Sequence, residues 1–453
     1  MSKEAKQFFF SDSKKTIRFS LPYTSSRLLN AANWFISMAI IARLGKEAVA
    51  VGVLMYSTVV TLQVIVWSML FSVSVVVGKT HGEGRPENIG RIVQAGFLLA
   101  FLIGLPASFL LWHVGSMLTF LHQPAQLVAM ATPYFHIMAF SVLPSLCYVC
   151  LYKFAIGVLR PRLVLYAMLC AVPLNLLLTF SLVFGKFGLP SLGIVGMAYA
   201  NLVMYSVLFL FLLFYFLCAK EFRIFNLFVF GIDKFFLHLK KLFIIGWPIS
   251  IEWGAMMMAY TFGTYMIGWV GTSALAAHQV ATQCVNLFIM VPYSVAHITA
   301  VLVAQALGSG RRKFIEKIGY AGVFICLLVV GSASLLYWFF PHAFTHIYLH
   351  GDNIGNVAII ALAVSLLAVV GLTQLSDTVG AVLTGALRGF QDTLTPMLIS
   401  ITSNWLISIP LGYFFAFIMH WGALGVYAGC LCGSLCGASL LIWRWRRTCV
   451  KLE

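Results

Sequence analysis

The sequence predicts an all-α, polytopic membrane protein with twelve transmembrane helices in two pseudo-symmetric lobes of six. Three observations carry this: long uncharged apolar runs, basic residues confined to alternate loops, and an internal duplication. Of 453 residues, 61% are hydrophobic and 9% charged. A water-soluble domain carries about a quarter charged residues. Here Ile92 to Tyr152 contains no Lys, Arg, Asp or Glu at all.

A bilayer core about 30 Å thick requires roughly 20 apolar residues in a spanning helix. Such runs fall near 18–42, 48–78, 91–113, 125–156, 163–185, 191–219, 242–270, 274–306, 317–340, 355–387, 394–419 and 422–443. A membrane β-barrel would instead show alternating segments of about ten residues. The opening stretch MSKEAKQFFFSDSKK is polar and basic, and the run after it is too long for a signal-peptide core. It is therefore expected to be retained.

The formal net charge is +16. Its distribution points to a membrane and not to nucleic acid. Taking the N-terminus, every second loop and the C-terminus as one side, that side holds Lys3, Lys14, Lys15, Lys79, Arg85, Lys153, Arg160, Arg311, Arg388, Arg444 and many more. The opposite side holds only Arg43, Lys46 and Lys186. This positive-inside bias places both termini in the cytoplasm, in a multi-pass protein of the cytoplasmic (inner) membrane. The ten cysteines are scattered through the spans, and Cys147 with Cys150 is an isolated pair read as small packing residues.

A repeat appears at a shift of 226 residues. LGKEAVAVGVL (44–54) aligns with VGTSALAAHQV (270–280), and VSVVVGKTHGEGR (73–85) with TAVLVAQALGSGR (299–311). Further along, GVLR (157–160) recurs as GALR (385–388), and LGIVGMAYA (192–200) resembles WGALGVYAG (421–429). Each half holds an even number of spans, so both have the same orientation, and the natural cavity of such a pair lies at the repeat interface. The expected organisation is a lobe over 1–219, a cytoplasmic linker over 220–241 and a second lobe over 242–453. The linker is basic and aromatic, fitting either an interfacial helix or a plain connection. Gly429, Gly433 and Gly437, four residues apart, predict close helix packing in the last span.

Of thirteen acids, only Glu252 and Asp377 lie deep in apolar spans. Glu252 is eleven residues from Lys241 and Asp377 eleven from Arg388, which predicts similar depths of roughly 16 Å for both. A mid-membrane Asp costs roughly 3 kcal/mol on insertion scales, so its presence points to function or to a structural ion pair. Arg27 is the basic residue deep in a span that such a pair would use. Two carboxylates facing one cavity titrate together, taking a proton when dry and yielding it to water or a cation. A proton or Na⁺ then competes with a cationic solute, which is antiport. The repeat sets Ser26 against Glu252 and Val149 against Asp377, so the acids belong to one lobe. Pro22 and Pro248 match across the repeat and each removes a helix hydrogen bond near the site.

The residues expected to line the site are uncharged. Trp253, Tyr260 and Tyr265 offer aromatic faces to organic cations, and Met256 to Met258 adapt to varied shapes. Gln279, Asn286, Gln374, Asn175 and Asn404 are polar residues within spans, fitted to contact solute or to bond neighbouring helices. The hydroxyl of Thr373 is a further oxygen for an ion. Hence Glu252 and Asp377 are the candidate ion-coupling residues. These two, with Trp253, Met256, Gln279, Asn286 and Thr373, are the candidate substrate site. His342, His346, His350 and Asp352 have the spacing of one helical face, read as an outer-surface turn and not as a metal site.

PISIEW (248–253), LAAHQVATQ (275–283), GSGR (308–311) and QLSDTVGAVLTGALRGFQDT (374–393) resemble the multidrug and toxic-compound extrusion (MATE) family, in its NorM-like branch. The resemblance implies twelve helices in two lobes, a rocking exchange of access and export of organic cations driven by inward H⁺ or Na⁺. It matches Glu252 to an acid of the seventh helix and Asp377 to one of the tenth, and puts Gln279 in a motif bordering the cavity. Ser37 and Thr179 stand where the family often has acids, which weakens any N-terminal coupling site. The expected protein is a monomeric secondary antiporter in contact with membrane lipid, using no cofactor. H⁺ is preferred over Na⁺, because a proton needs only a buried carboxylate pair and Na⁺ several fixed oxygens. The alternative is a lipid-linked oligosaccharide flippase of the same superfamily, which would carry more basic residues in its cavity. An enzyme would need a nucleophile or metal constellation, and no HExxH, GxSxG or Walker motif occurs.

Overall fold

In hydrocarbon every backbone N–H and C=O must be satisfied inside the protein, which drives each apolar run into a helix. The computed structural model of the chain describes residues 3–120, 122–227, 235–346 and 354–451. Its long helices are α1 (Lys3–Ala42), α2 (Lys46–Met69 and Phe71–Gly82), α3 (Glu87–Trp112), α4 (Ala125–Gly157), α5 (Pro161–Phe184) and α6 (Ile194–Cys218). They continue with α7 (Phe235–Val270), α8 (Thr272–Phe288 and Met290–Gly308), α9 (Arg312–Phe339), α10 (Ile354–Gly389), α11 (Leu394–Ile418) and α12 (Ala423–Val450). Among the described residues, eleven helices are long and apolar enough to cross a membrane. The predicted first span lies in α1, whose Ser, Thr, Asn and Arg residues dilute its apolar character.

The duplication is visible in the backbone. Gly45 and Gly271 cap the starts of α2 and α8 with φ of 114° and 148°. The two helices end alike as well. Gly84 and Gly310 both have φ 69°. The Arg85 N–H bonds back to Thr80, and the Arg311 N–H to Ala306. This is the Schellman closure, in which a glycine accepts the left-handed conformation at no steric cost. The second span of each half is also broken midway, at Leu70 and at Ile289.

By contacts the chain divides into two compact units, Leu21–Ser250 and Met1–Ser20 with Ile251–Glu453. Inside the first, α4 is central and packs on α2, α3 and α6. Inside the second, α10 is central and packs on α8, α9 and α12. The central helices thus correspond across the repeat, and each brings the residues near its C-terminal end into the interior of its own unit.

The start of the linker is a 3₁₀ helix, Lys220–Phe225. Phe222 and Phe225 are buried there, with ring centroids 6.0 and 5.6 Å from that of Phe154. Residues 228–234 lie outside the described residues. From Phe235 the chain is already in α7, so Lys240 and Lys241 sit in the first turns of a spanning helix.

Helix α11 contains two π segments, Thr402–Ser408 and Phe414–Ile418. It lies against the glycine row of α12. A Cβ on Gly433 would land on the Ser408 hydroxyl and 2.6 Å from the Ser403 carbonyl. The predicted close packing of Gly429, Gly433 and Gly437 is therefore met by their burial against α11. Cys147 and Cys150 are buried free thiols, and Cys150 donates to the Val93 carbonyl at 3.7 Å.

Candidate substrate and ion site

Two stripes of the C-terminal unit, joined at Glu252 and Arg388, carry the candidate site. On α7, Glu252, Met256 and Tyr260 follow at four-residue spacing and share a face. On α10, Asp377 and Arg388 are eleven residues apart, three turns, and also share a face. Consecutive spans alternate in direction, so these helices run oppositely.

Arg388 Nη2 donates to Glu252 Oε2 at 2.8 Å, and both side chains are buried. Glu252 is thus charge-paired with the C-terminal end of α10, while Asp377 stands eleven residues, about 16 Å, earlier on that helix. The physical reason is the tilt of helical side chains toward the N-terminus of their own helix. On oppositely running helices, Glu252 and Arg388 lean toward each other. The ion-pair partner is Arg388 and not Arg27.

Asp377 is held differently. Its Oδ1 accepts the Ser434 hydroxyl from α12 at 2.7 Å. Tyr260 and Cys430 lie within electrostatic reach of it. Among the described residues it forms no ion pair, and its side chain is exposed and not enclosed. Thr373, one turn earlier, spends its proton on Val369 O at 3.0 Å, and its carbonyl lies 3.4 Å from the Ser434 hydroxyl.

Beside Glu252 in the chain, the Trp253 ring lies 5.0 Å from that of Tyr293. The Tyr293 hydroxyl donates to Met256 Sδ at 3.8 Å. Gln279 and Asn286 are exposed on the first segment of α8, which packs on α10. Their neighbour His278 is tied between Thr264 Oγ1 at 3.2 Å and the Tyr427 hydroxyl at 2.7 Å. Other predicted polar residues bond within their unit: Gln374 to Val285 O at 3.5 Å, Asn404 to Ser400 O at 2.8 Å, and Asn175 to Asn201 at 3.4 Å. Of the histidine series, His350 and Asp352 lie outside the described residues.

The structure therefore joins Glu252 to Arg388, Trp253 and Met256 to Tyr293, and Thr373 and Asp377 to Ser434. Arg388, Tyr293 and Ser434 are the participants that sequence reasoning missed. Only Arg388 carried a signal: it closes the GALR motif, and Arg160 at the end of GVLR also holds an acid, Glu221, at 2.8 Å.

Comparison with known proteins yields one family. The MatE family model matches residues 22–181 and again 248–414, two matches that begin 226 residues apart. The "Probable multidrug resistance protein NorM" of Brucella suis biovar 1 (strain 1330) is 30% identical over 433 residues, covering 95% of this chain and 92% of that protein. The "Multidrug resistance protein NorM" of Burkholderia vietnamiensis is 30% identical over 431 residues, covering 95% and 93%. Among solved structures, an outward-facing multidrug resistance MATE family transporter of the MOP superfamily superposes with a TM-score of 0.88 at 17% identity, covering 100% of this chain and 99% of that one. The eukaryotic MATE transporter AtDTX14 gives 0.85 at 18% identity, covering 98% and 99%.

Proposed function

Because the chain belongs to the MatE family, whose members are transporters and not enzymes, we propose that it is a multidrug efflux antiporter exporting organic cations in exchange for H⁺. The observation that carries this reading is Asp377: a carboxylate deep in an apolar helix, hydrogen-bonded by Ser434 and without a cationic partner among the described residues. Such a group serves one positive charge at a time. A proton neutralises it, and an organic cation lying against Tyr260 competes for the same charge. A proton needs only the carboxylate, whereas Na⁺ requires several fixed oxygens, which favours H⁺.

Glu252 acts differently from Asp377 because Arg388 already balances its charge. The buried ion pair joins α7 to α10, and removing either partner would strand the charge of the other. Trp253, Met256 and Tyr293, which contact one another, supply an apolar wall near Glu252. The termini and the basic loops are cytoplasmic in this reading, and the solute leaves toward the side of Lys186.

The test is an everted-vesicle assay with a pH probe in the lumen. Adding a lipophilic cation is expected to cause proton efflux in the absence of Na⁺, and D377N is expected to abolish it. Undiminished cation-dependent proton movement in D377N would overturn the role of Asp377, and a strict need for Na⁺ would overturn the choice of ion.

A further inference from the structure

His278 is a titratable group of the C-terminal unit that the exporter reading leaves without a task. Its ring is half-buried and forms no ion pair among the described residues. Two hydroxyls hold it. Thr264 Oγ1 of α7 lies 3.2 Å from Nε2, and the Tyr427 hydroxyl of α12 lies 2.7 Å from Nδ1. Thr264 has one hydroxyl proton and gives it to the Tyr260 carbonyl at 3.0 Å. Toward His278 it is therefore an acceptor, so Nε2 carries the ring proton. Nδ1 is then the bare nitrogen, and Tyr427 donates to it. A neutral imidazole has one donor and one acceptor nitrogen, and here each is matched.

The His278–Tyr427 pair lies on the way to Asp377. In the exporter reading, the start of α8 at Thr272 and the start of α12 at Ala423 are on the outer side, with Lys186. His278 follows Thr272 by six residues, about 9 Å of helix, and Tyr427 follows Ala423 by four, about 6 Å. Ser434, which holds Asp377, comes seven residues after Tyr427, two turns and about 10 Å deeper on the same face of α12. Two groups link the levels: Tyr260 and Cys430 are each within electrostatic reach of both Tyr427 and Asp377. The titratable groups about the pair are thus Cys430 on α12, Tyr260 on α7 and Asp377 on α10.

An outside proton has to cross that distance to neutralise Asp377. Imidazole is the side chain whose unperturbed charge changes near neutral pH, which suits it to hold a proton in transit. The hydrogen-bond directions decide by which nitrogen. The Nε2 branch ends at Thr264, whose own proton is committed to a backbone carbonyl. Nδ1 is open to a proton and faces Tyr427. We infer that His278 is the proton-delivery residue for Asp377, loaded and emptied at Nδ1 through the Tyr427 hydroxyl. In loading, Tyr427 passes its hydroxyl proton to Nδ1 and takes another from hydronium outside, so His278 becomes a cation and Tyr427 stays neutral. In delivery, the Nδ1 proton returns to the Tyr427 oxygen as the hydroxyl proton leaves for the carboxylate. An N–H bond is lost, an O–H bond on Asp377 is gained, and nothing is oxidised or reduced. The inference rests on the exporter reading with H⁺ as the exchanged ion.

The experiment compares two rates in everted vesicles holding the parent, H278Q or Y427F, with ethidium as the cation. One rate is ethidium-driven proton efflux, read by a pH probe in the lumen. The other is exchange of labelled for unlabelled ethidium at equal pH on both sides, which moves no net proton. H278Q is expected to slow proton efflux by about tenfold or more, as loss of a positioned proton carrier does, and to leave the exchange rate unchanged. Y427F is expected to do the same, because it keeps the imidazole and removes its proton partner. Unchanged proton efflux in H278Q overturns the inference. So does an equal fall in both rates, which would make His278 a brace between α7 and α12 and nothing more. If H278Q fails to fold, Y427F decides: slowed efflux with intact exchange supports the delivery role, and any other result overturns it. A parent without ethidium-driven proton movement overturns the exporter reading and this inference with it, an outcome distinct from a working parent beside an unimpaired variant.

Discussion

At the scale of single residues, what matters is which charges are balanced. Glu252 and Arg388 are both nearly sealed from solvent, with side-chain exposures of 11% and 8%, and each is the other's charge partner. Removing one partner of such a pair strands a buried charge, at a cost of about 3–5 kcal/mol, whereas replacing both with apolar groups of similar size is often neutral. E252A is accordingly expected to lower the unfolding midpoint of the detergent-solubilised protein strongly. The double variant E252L/R388M is expected to recover most of the loss. A midpoint for E252A equal to that of the parent would show that Arg388 finds another partner. Asp377 and Arg27 present the opposite case, since neither has an ion-pair partner among the described residues. Their importance was legible in the sequence, because charges stand out in apolar runs. The partner of Glu252 was not. Arg388 reads as an anchor at the end of a span; the GALR repeat marks it, but does not tell that its long side chain turns back to meet Glu252.

At the scale of elements, the decisive contact is α11 against α12. Alanine ordinarily favours a helix over glycine by about 1 kcal/mol. Gly433 should reverse that sign, since its Cβ would collide with Ser408 and with the Ser403 carbonyl. Overpacking of this kind costs about 1–3 kcal/mol. At Gly331 in α9 a Cβ would meet only Leu375, at 3.9 Å. Thermal midpoints should therefore fall for Gly433→Ala and stay level or rise for Gly331→Ala. Equal shifts would mean that α12 moves aside. The glycine spacing announced close packing, but it did not announce the π segments of α11. Those depend on which turn gains an extra residue when two backbones meet, and helix-favouring sequence looks alike in either winding.

At the scale of the molecule, the positive-inside asymmetry makes a prediction about orientation. The rule counts Lys and Arg in short loops. The loop holding Lys186 should therefore be external, and the tail after Arg447 internal. Alkaline phosphatase fused at Gly188 is expected to be active in intact cells, and fused at Glu453 inactive; the reverse pattern would invert the topology. The sequence by itself determined the helical class, the duplication at 226 residues and the presence of two deep acids, because hydrocarbon imposes length, apolarity and charge placement on every span independently. Matching cap glycines and two matching family segments follow from the same local demands. Only the tertiary structure decided that Glu252 answers to Arg388, that Asp377 rests on Ser434, and that Arg27 sits among tyrosines. The pairings of Glu252 and Asp377 join residues 136 and 57 positions apart, set by which helix faces meet in the folded unit, and no periodicity along one helix encodes its neighbour.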